Sequence, residues 1–278
     1  MLHYVTCGRE NCCGYEGNRQ TPAAPQLSSK LVGAMPNSGP SMKFVVTPEI
    51  FELYPGLSLP VAVAEDVEAA ADTAGVEKLW RQAWEEAGQS APAYGNAQSH
   101  PRVAAWRHAM AATGVSGRKF PSSVESLLRR AFKGGEPPSI NPLVNFYNSV
   151  SLRHLVPAGG FDLAQLDDAL ELRLTRQGDT FRPLDSASAE SIEPGEVAYA
   201  SGNEVLTRHF VWKQSHTGLL GESTRSVFLV CEVLGEVEES AYGLARAVLE
   251  DLSEGVRRHF GAEPATFLVE KSVPAVSW

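Results

Sequence analysis

The chain has 278 residues, 43% of them apolar, and carries 24 basic against 33 acidic side chains, for a formal net charge of −9. That length suits one large domain or two small ones. No run of about 18 apolar residues occurs, so we expect no membrane span, and the glycines and prolines lack the period of a collagen-like chain.

The first 41 residues differ in composition from the rest of the chain. They are rich in Gly, Pro, Ser, Asn and Gln, lack hydrophobic periodicity, and lack the apolar stretch of a secretory signal peptide. We expect residues 1–41 to be a disordered extension, unless Met42 is the natural start. Residues 42–278 are then expected to form one folded domain.

The cysteines indicate the compartment. Cys7, Cys12 and Cys13 fall in the first 41 residues, and Cys231 is the only other cysteine. This distribution is not that of a disulfide framework and suits a reducing cytoplasm. The Cys7-x4-Cys12-Cys13 spacing lacks the second ligand pair of a zinc site, so we expect a cytoplasmic protein without a metal.

The first half of the folded region predicts strands followed by helices. Lys43–Val46 and Leu59–Ala64 are apolar, partly β-branched runs, typical of strands. Apolar residues at helical spacing then predict three helices, the third with a capping box formed by Ser122 and Glu125. The first has apolar residues Val76, Leu79, Trp80, Ala83 and Trp84 and is expected to end at Gly88. The second has Val103, Trp106 and Met110 and is expected to end at Gly114. The third has Val124, Leu127, Leu128 and Ala131 and is expected to end at Gly134 and Gly135.

The second half predicts one more helix, several strands and a final helix. Asn141 and Pro142 are typical of a helix start, and that helix is expected to run to about His154, where residues 157–160 break it. Strands are predicted around residues 170–174, 197–199, 205–211, 227–233 and 267–269, and a helix around residues 245–256. Because the helices mostly precede the strands, we predict an α+β fold with a mixed, largely antiparallel sheet and flanking helices.

Several common catalytic signatures are absent from the sequence. It contains no G-x-x-x-x-G-K-[ST], no G-x-G-x-x-G after a strand, no H-E-x-x-H and no G-x-S-x-G. These absences argue against an ATP-driven ligase, a dinucleotide-dependent enzyme, a zinc protease of the H-E-x-x-H type and a typical serine hydrolase. We expect no ATP, metal or other cofactor.

Two segments carry a resemblance to a known family. The first is a helix that opens Asn141-Pro142 and carries Asn148, followed by Pro157-Ala158-Gly159-Gly160-Phe161-Asp162. The second covers residues 208–217 and 221–224. Both resemble the B3/B4 editing domain of the phenylalanyl-tRNA synthetase β subunit, and still more the standalone B3/B4 proteins. The resemblance extends over about residues 42–267.

The resemblance implies hydrolysis of the ester that joins a wrong amino acid to the terminal ribose of tRNA. That reaction requires a positioned water, donors for the oxyanion and a side-chain pocket, but no strong nucleophile. Asn148 matches the Asn of the synthetase helix and is the first candidate catalytic residue; the alternative is an Asn that hydrogen-bonds a neighbouring loop. Tyrosine on tRNA of the phenylalanine type is the substrate that the resemblance implies.

Other site residues depart from the synthetase pattern. Gly159 stands where the synthetase has a His, and Gly159 and Gly160 either offer backbone N–H groups to substrate or allow positive φ in a turn. The synthetase places a Glu near the second turn, and the sequence does not decide what replaces it. The candidates for catalysis there are Ser215, His216 and Thr217; further candidates for substrate binding are Asn141, Trp212 and Gln214.

A basic segment provides a candidate surface for tRNA. Residues 101–135 hold seven basic residues and one acid, although the whole chain is acidic. Arg129, Arg130 and Lys133 are predicted to face phosphate, and the alternative is a set of solvated helix surfaces. We therefore predict a trans-acting deacylase of mischarged aminoacyl-tRNA that binds the aminoacylated end, with a non-catalytic tRNA- or amino-acid-binding module as the alternative. The sequence leaves the oligomeric state open.

Overall fold

A computed structural model describes residues 42–186, 188–235 and 241–278, and every structural statement below concerns those residues. They form one compact unit. The predicted extension, with Cys7, Cys12 and Cys13, lies outside the described residues. The helices are α1 Pro48–Leu53, α2 Thr73–Gln89, α3 Ala91–Tyr94, α4 Pro101–Ala112, α5 Ser123–Phe132, α6 Pro142–His154 and α7 Ala241–Phe260.

The strands form two main sheets and a small hairpin. They are β1 Lys43–Val46, β2 Leu59–Ala64, β3 Ala158–Asp162, β4 Ala169–Leu174, β5 Thr180–Phe181, β6 Glu190–Ser191, β7 Val197–Ser201, β8 Glu204–Val205, β9 Thr207–Arg208, β10 Lys213–Gln214, β11 Val227–Cys231, β12 Ala265–Val269 and β13 Ala275–Ser277. One sheet has the order β13-β1-β4-β7-β8-β5-β6, the second has the order β12-β2-β11-β3, and β9 pairs with β10. Within the first sheet, β1 pairs with β4 and β5 pairs with β8 in parallel. All other pairs in the two sheets are antiparallel. The predicted α+β fold with a mixed, largely antiparallel sheet is confirmed.

The four-stranded sheet is the middle layer of the molecule. Successive side chains of a strand point to opposite faces, so a strand that is buried throughout must be covered on both sides. In β11, Phe228 and Val230 pack with Phe44 and Tyr199 of the first sheet. Val227, Leu229 and Cys231 pack on the other side with apolar residues of α6 and α7. The continuous apolar sequence of β11 follows from this double covering.

The start of α6 is as predicted. The Asn141 side chain accepts a hydrogen bond from the Val144 N–H at 2.9 Å, and Pro142 occupies the first helical position. The helix ends at His154 and is followed by Leu155 in the left-handed region, at φ 52°. These local signals fix where the helix that carries Asn148 begins and ends.

Three local predictions need correction. The helix around Trp80 continues through Gly88 to Gln89. The Ser122 side chain does cap α5, accepting from Glu125 N–H at 3.3 Å, but the Glu125 carboxylate binds Arg107 and Arg129 instead of completing a capping box. The positive-φ turn considered for Gly159 and Gly160 is wrong, because both lie in β3 and pair with β11, which supplies backbone partners that no local pattern reveals.

Candidate functional site

A pocket of about 120 Å³ lies beside β3, the edge strand of the middle sheet. Its walls come from the start of α5, from α6, β3, the hairpin β9–β10, the middle of β7 and the end of β11. The lining residues are Ser123, Tyr147, Asn148, Ala158, Gly159, Phe161, Tyr199, Thr207, Phe210, Val211, Trp212, Lys213, Gln214, Val230 and Glu232. A cavity of roughly 150 Å³ can hold benzene, so the pocket suits one amino-acid side chain rather than a whole nucleoside.

Three asparagines at helical spacing on α6 have different roles. Asn141 caps the helix and donates to the Leu220 carbonyl at 2.9 Å. Asn145 is buried, accepts from Ile140 N–H at 3.1 Å and donates to the Ser139 hydroxyl at 3.1 Å. The Asn148 side chain faces the pocket and hydrogen-bonds no described residue. Its amide is therefore available to a ligand, whereas the other two hold the fold.

The two glycines of β3 also differ. A Cβ at Gly160 would lie 2.8 Å from methyl carbons of Leu220 and Leu229, so both side chains would have to shift to accept a larger residue there. A Cβ at Gly159 would meet no atom within 4 Å, although Gly159 lines the pocket. A side chain at that position would therefore extend into free space beside the pocket. Gly160 instead contributes its carbonyl, which accepts from the Gln214 side chain at 3.0 Å.

The hairpin turn that supplies Phe210 and Trp212 is held in an uncommon conformation. His209 and Phe210 have φ of 48° and 65°, the left-handed region that non-glycine residues rarely adopt. Glu196 holds the turn, because its carboxylate accepts from the Arg208 guanidinium at 2.7 to 3.0 Å and from the His209 N–H at 2.5 Å. Burial lowers the pKa of His209, against the opposing effect of Glu196.

Glu232 is the acidic group of the pocket. Its side chain is buried, and the Tyr199 hydroxyl donates to one of its oxygens at 2.9 Å. Burial raises the pKa of Glu232 to about 8, since no cation within the described part of the chain compensates the loss of hydration. Sequence analysis does not single out Glu232, although a charged residue directly after the apolar run of β11 is a signal for a buried acid.

The structure brings some of the predicted site residues together and separates others. Asn148, Gly159, Trp212 and Gln214 line one pocket. Asn141 and Gly160 do not line it, and their polar groups are bound within the protein: Asn141 caps α6, and the Gly160 carbonyl accepts from Gln214.

The predicted catalytic turn lies outside the pocket. The Ser215 hydroxyl is buried, donates to the Arg182 carbonyl at 3.2 Å and accepts from Thr217 N–H at 3.1 Å. His216 is exposed, and the Thr217 hydroxyl donates to Glu204 in a separate polar depression. The catalytic role of these three residues stays a prediction that the geometry of the pocket does not support.

The basic residues of α5 are not equivalent. Arg129 binds Glu125 at 2.8 Å, and that carboxylate, which is fully buried, also binds Arg107. Arg130 and Lys133 are exposed, and neither forms an ion pair with a described residue. Arg129 is thus part of a structural ion pair, while Arg130 and Lys133 are the predicted phosphate ligands with unpaired charges.

Two further properties concern the described residues only. No group of three or more His, Cys, Asp or Glu side chains among them is arranged to hold a metal ion. No helix among them is long and apolar enough to span a bilayer.

The fold and the pocket belong to a known class of domain. The model of the B3/4 domain family matches residues 105–258, which is more than half of the chain and includes every residue that lines the pocket. The chain therefore belongs to the B3/4 domain family.

The curated relatives found are β subunits of phenylalanine–tRNA ligase. The subunit from Dickeya dadantii (strain 3937) is 28% identical over 127 residues, which are 46% of this chain and 16% of the relative. The subunit from Vibrio vulnificus (strain YJ016) is 32% identical over 93 residues, which are 34% of this chain and 11% of the relative. The chain thus matches only a small part of these proteins.

A solved structure is also similar. It is an N-terminal fragment of the phenylalanyl-tRNA synthetase β subunit from Pyrococcus horikoshii, with 10% identity and a TM-score of 0.38, covering 82% of this chain and 54% of that one.

Proposed function

We propose that this protein hydrolyses the ester bond of mischarged aminoacyl-tRNA, acting in the cytoplasm as a deacylase separate from any synthetase. Membership of the B3/4 family and the match to β subunits of phenylalanine–tRNA ligase support a tRNA-related function. The observation that carries the proposal is the pocket, which has the size of one side chain and holds an unpaired Asn148 amide beside a buried Glu232.

The pocket provides the groups that the reaction needs. Water adds to the ester carbonyl, the bond to the ribose oxygen breaks, and the free amino acid and uncharged tRNA leave. Asn148 can donate to the oxyanion or hold the attacking water, and the carbonyl oxygen of the Gln214 side chain remains available because its N–H₂ group binds Gly160. Phe161, Phe210 and Trp212 provide apolar walls for the amino-acid side chain.

Glu232 is suited to recognise a polar group on that side chain. With a pKa of about 8 it is mostly protonated near pH 7, so it can donate one hydrogen bond while it accepts the hydroxyl of Tyr199. A buried polar site discriminates strongly against a ligand that leaves its groups unpaired. The pocket is therefore expected to prefer a side chain that carries a hydroxyl over its apolar counterpart.

A second candidate function is binding of the aminoacyl end without hydrolysis, and the protonated Glu232 carboxyl group favours it. Among the residues that line the pocket, the titratable side chains are Tyr147, Tyr199, Lys213 and Glu232; burial raises the pKa of both tyrosines, and Glu232, with a pKa of about 8, is mostly protonated near pH 7. A module that binds the aminoacyl end of tRNA without hydrolysing it would have this composition. The two functions share the ligand and differ in turnover.

The decisive experiment compares two asparagines of one helix. Deacylation rates are measured over a panel of correctly charged and mischarged tRNAs for the wild type, Asn148→Ala and Asn145→Ala. Asn148→Ala should lose roughly 100- to 1,000-fold in rate, as expected for a lost oxyanion donor, with an unchanged melting temperature. Asn145→Ala should melt earlier and keep its rate per folded molecule, because its amide only holds the preceding loop.

The result also separates the two functions. Wild-type protein that binds the aminoacyl-tRNA but releases no amino acid from any member of the panel would contradict the deacylase and leave the binding module. Equal rates for the wild type and Asn148→Ala would remove Asn148 from the reaction.

A further inference from the structure

Three rings form a cluster at the edge of the pocket. The centroid of Phe120 lies 4.6 Å from that of Trp212 at 67° and 4.0 Å from that of His209, and His209 lies 5.5 Å from Trp212. Phe120 and Trp212 are partly exposed, and Trp212 also lines the pocket. The cluster thus connects the interior of the pocket with the protein surface.

Trp212 differs in exposure from the tryptophans of the helical core. Trp80, Trp84 and Trp106 are all buried, and the indole N–H groups of Trp80 and Trp84 donate to the Pro138 and Gly135 carbonyls at 2.8 and 2.9 Å. The Trp212 ring is partly exposed, and its indole N–H has no partner among the described residues. Both the ring and its N–H group are therefore accessible to a ligand.

Cations flank the rings. The Nζ of Lys119 lies 5.0 Å from the Phe120 centroid. Lys213 lines the pocket, and its Nζ lies 3.4 Å from a carboxylate oxygen of Asp185, a residue whose side chain is 80% exposed. Exposed pairs of this kind are weak, so the Lys213 charge remains largely available. The other nearby cation, Arg208, is held by Glu196.

We propose that Trp212 and Phe120 form the stacking surface for the terminal base of the RNA whose aminoacyl group enters the pocket, with Lys119 and Lys213 facing its phosphates. This inference rests on the proposed function. Aromatic side chains next to cations are the usual means of holding single-stranded nucleic acid, because every base has a π-face and every nucleotide carries a charge.

The position of Trp212 supports this choice of ligand. The ester joins the amino acid to the ribose of the terminal nucleotide, so the base of that nucleotide must lie next to the aminoacyl pocket. Trp212 borders both the pocket and the exposed ring cluster. One ligand can therefore place its side chain in the pocket and its base against the indole.

The test measures binding of a short labelled single-stranded RNA that ends in CCA, uncharged, against the same RNA with an abasic terminal nucleotide. For the wild type the abasic RNA should bind about 5- to 100-fold more weakly, the range expected for one lost stack. Trp212→Leu should weaken the intact RNA to a similar extent and leave the abasic RNA unchanged. Trp212→Phe should retain most of the affinity.

A matched control comes from another aromatic–cation pair on the surface. Tyr242 is 56% exposed, has the Arg246 guanidinium 5.4 Å from its centroid and does not line the pocket. Tyr242→Leu should bind both RNAs as the wild type does. Thermal melting of each variant shows whether it is folded, and the comparison of the two RNAs on wild-type protein tests the stack without any substitution.

The possible failures are distinguishable. Equal binding of the intact and abasic RNAs by the wild type, or an equal loss for both RNAs in Trp212→Leu, would overturn the stacking surface while leaving deacylation untouched. A wild type that hydrolyses no ester but binds RNA in a Trp212-dependent way would support the stacking surface and contradict the deacylase.

Discussion

Among the described residues, two glutamates are buried, Glu125 in the helical layer and Glu232 in the pocket. Glu125 of α5 is fully buried, and its carboxylate binds Arg107 and Arg129 at 2.8 Å. Glu232 is also buried, but it lines the pocket, its contact is the neutral hydroxyl of Tyr199, and its pKa rises to about 8. The same side chain is thus paired with two arginines in one region and is a mostly protonated group without a cation partner among the described residues in the other.

The difference shows how a structural acid can be told from a functional one. A buried charge with its own cations is satisfied within the fold and needs no ligand. A buried carboxyl group without a cation, at the wall of a cavity, carries a cost that the fold alone does not repay, and such groups concentrate at functional sites. Glu232 therefore indicates the site more clearly than the basic helix does.

The largest effect that tests this comparison is expected for Glu232→Gln. Below its usual pKa of 4.5 the carboxyl group is protonated in both states, so it adds no pH dependence. Between 4.5 and about 8 the unfolded chain releases the proton while the folded protein keeps it, so wild-type stability falls as the pH rises and levels off above 8. By pH 9 the wild type is expected to have lost on the order of 3 to 5 kcal/mol of folding free energy through this group.

Gln cannot titrate and can still accept from Tyr199, so the variant should lack this decline and be more stable than the wild type at pH 9. Urea unfolding of the wild type and the variant at pH 5 and pH 9 measures the difference in their free energies of unfolding. Parallel stability curves for the two proteins across that range would mean that Glu232 has an ordinary pKa.

Glu125→Gln is expected to lower the stability of the protein, whereas Glu232→Gln is expected to raise it at high pH. The change removes the carboxylate that compensates Arg107 and Arg129, whose side chains are 26% and 44% exposed. Because these arginines are only partly buried, the free energy of unfolding should fall by about 3 kcal/mol at pH 7, the low end for a broken buried pair. Denaturant unfolding provides the value. A variant as stable as the wild type would show that the ion pair adds nothing over a neutral amide.

The smallest effect concerns Arg130 of α5 and its C-cap residue Lys133, two exposed basic residues that form no ion pair with a described residue. Changing both to Gln removes two charges and keeps helix propensity, while Arg129 stays in place because it holds Glu125. If they contact phosphate, the slope of log affinity for tRNA against log salt should become shallower by about one to two units, with little change in melting temperature.

The control for that variant removes the same charge elsewhere. Lys78 and Lys271 are also exposed, and changing both to Gln should leave the slope as in the wild type. Identical slopes for all three proteins would place the phosphate contacts outside α5.

Local patterns predicted the elements that local forces stabilise. The bounds of β1 and β2 agree with the predicted runs, and α6 starts at its Asn-Pro signal and ends at His154 as expected. The strand β3 was missed, because its Gly-Gly sequence has low strand propensity and is extended only through its pairing with β11. The β13 strand was missed for a similar reason: it is a three-residue edge strand that pairs with β1, far away in the sequence.

The residues of the candidate site also fall into two groups, those that local sequence patterns indicate and those that only the fold brings together. Local signals in the chain predict the helix that presents Asn148, and motif resemblance indicates the segments that contain Gly159, Trp212 and Gln214. The three-dimensional fold was needed to show that Glu232 belongs with them, that Asn145 and Gly160 serve packing, and that the Ser215–Thr217 turn lies outside the pocket. Capping and hydrophobic periodicity act over a few residues, whereas a pocket and the pKa of a buried acid depend on which distant segments exclude water together.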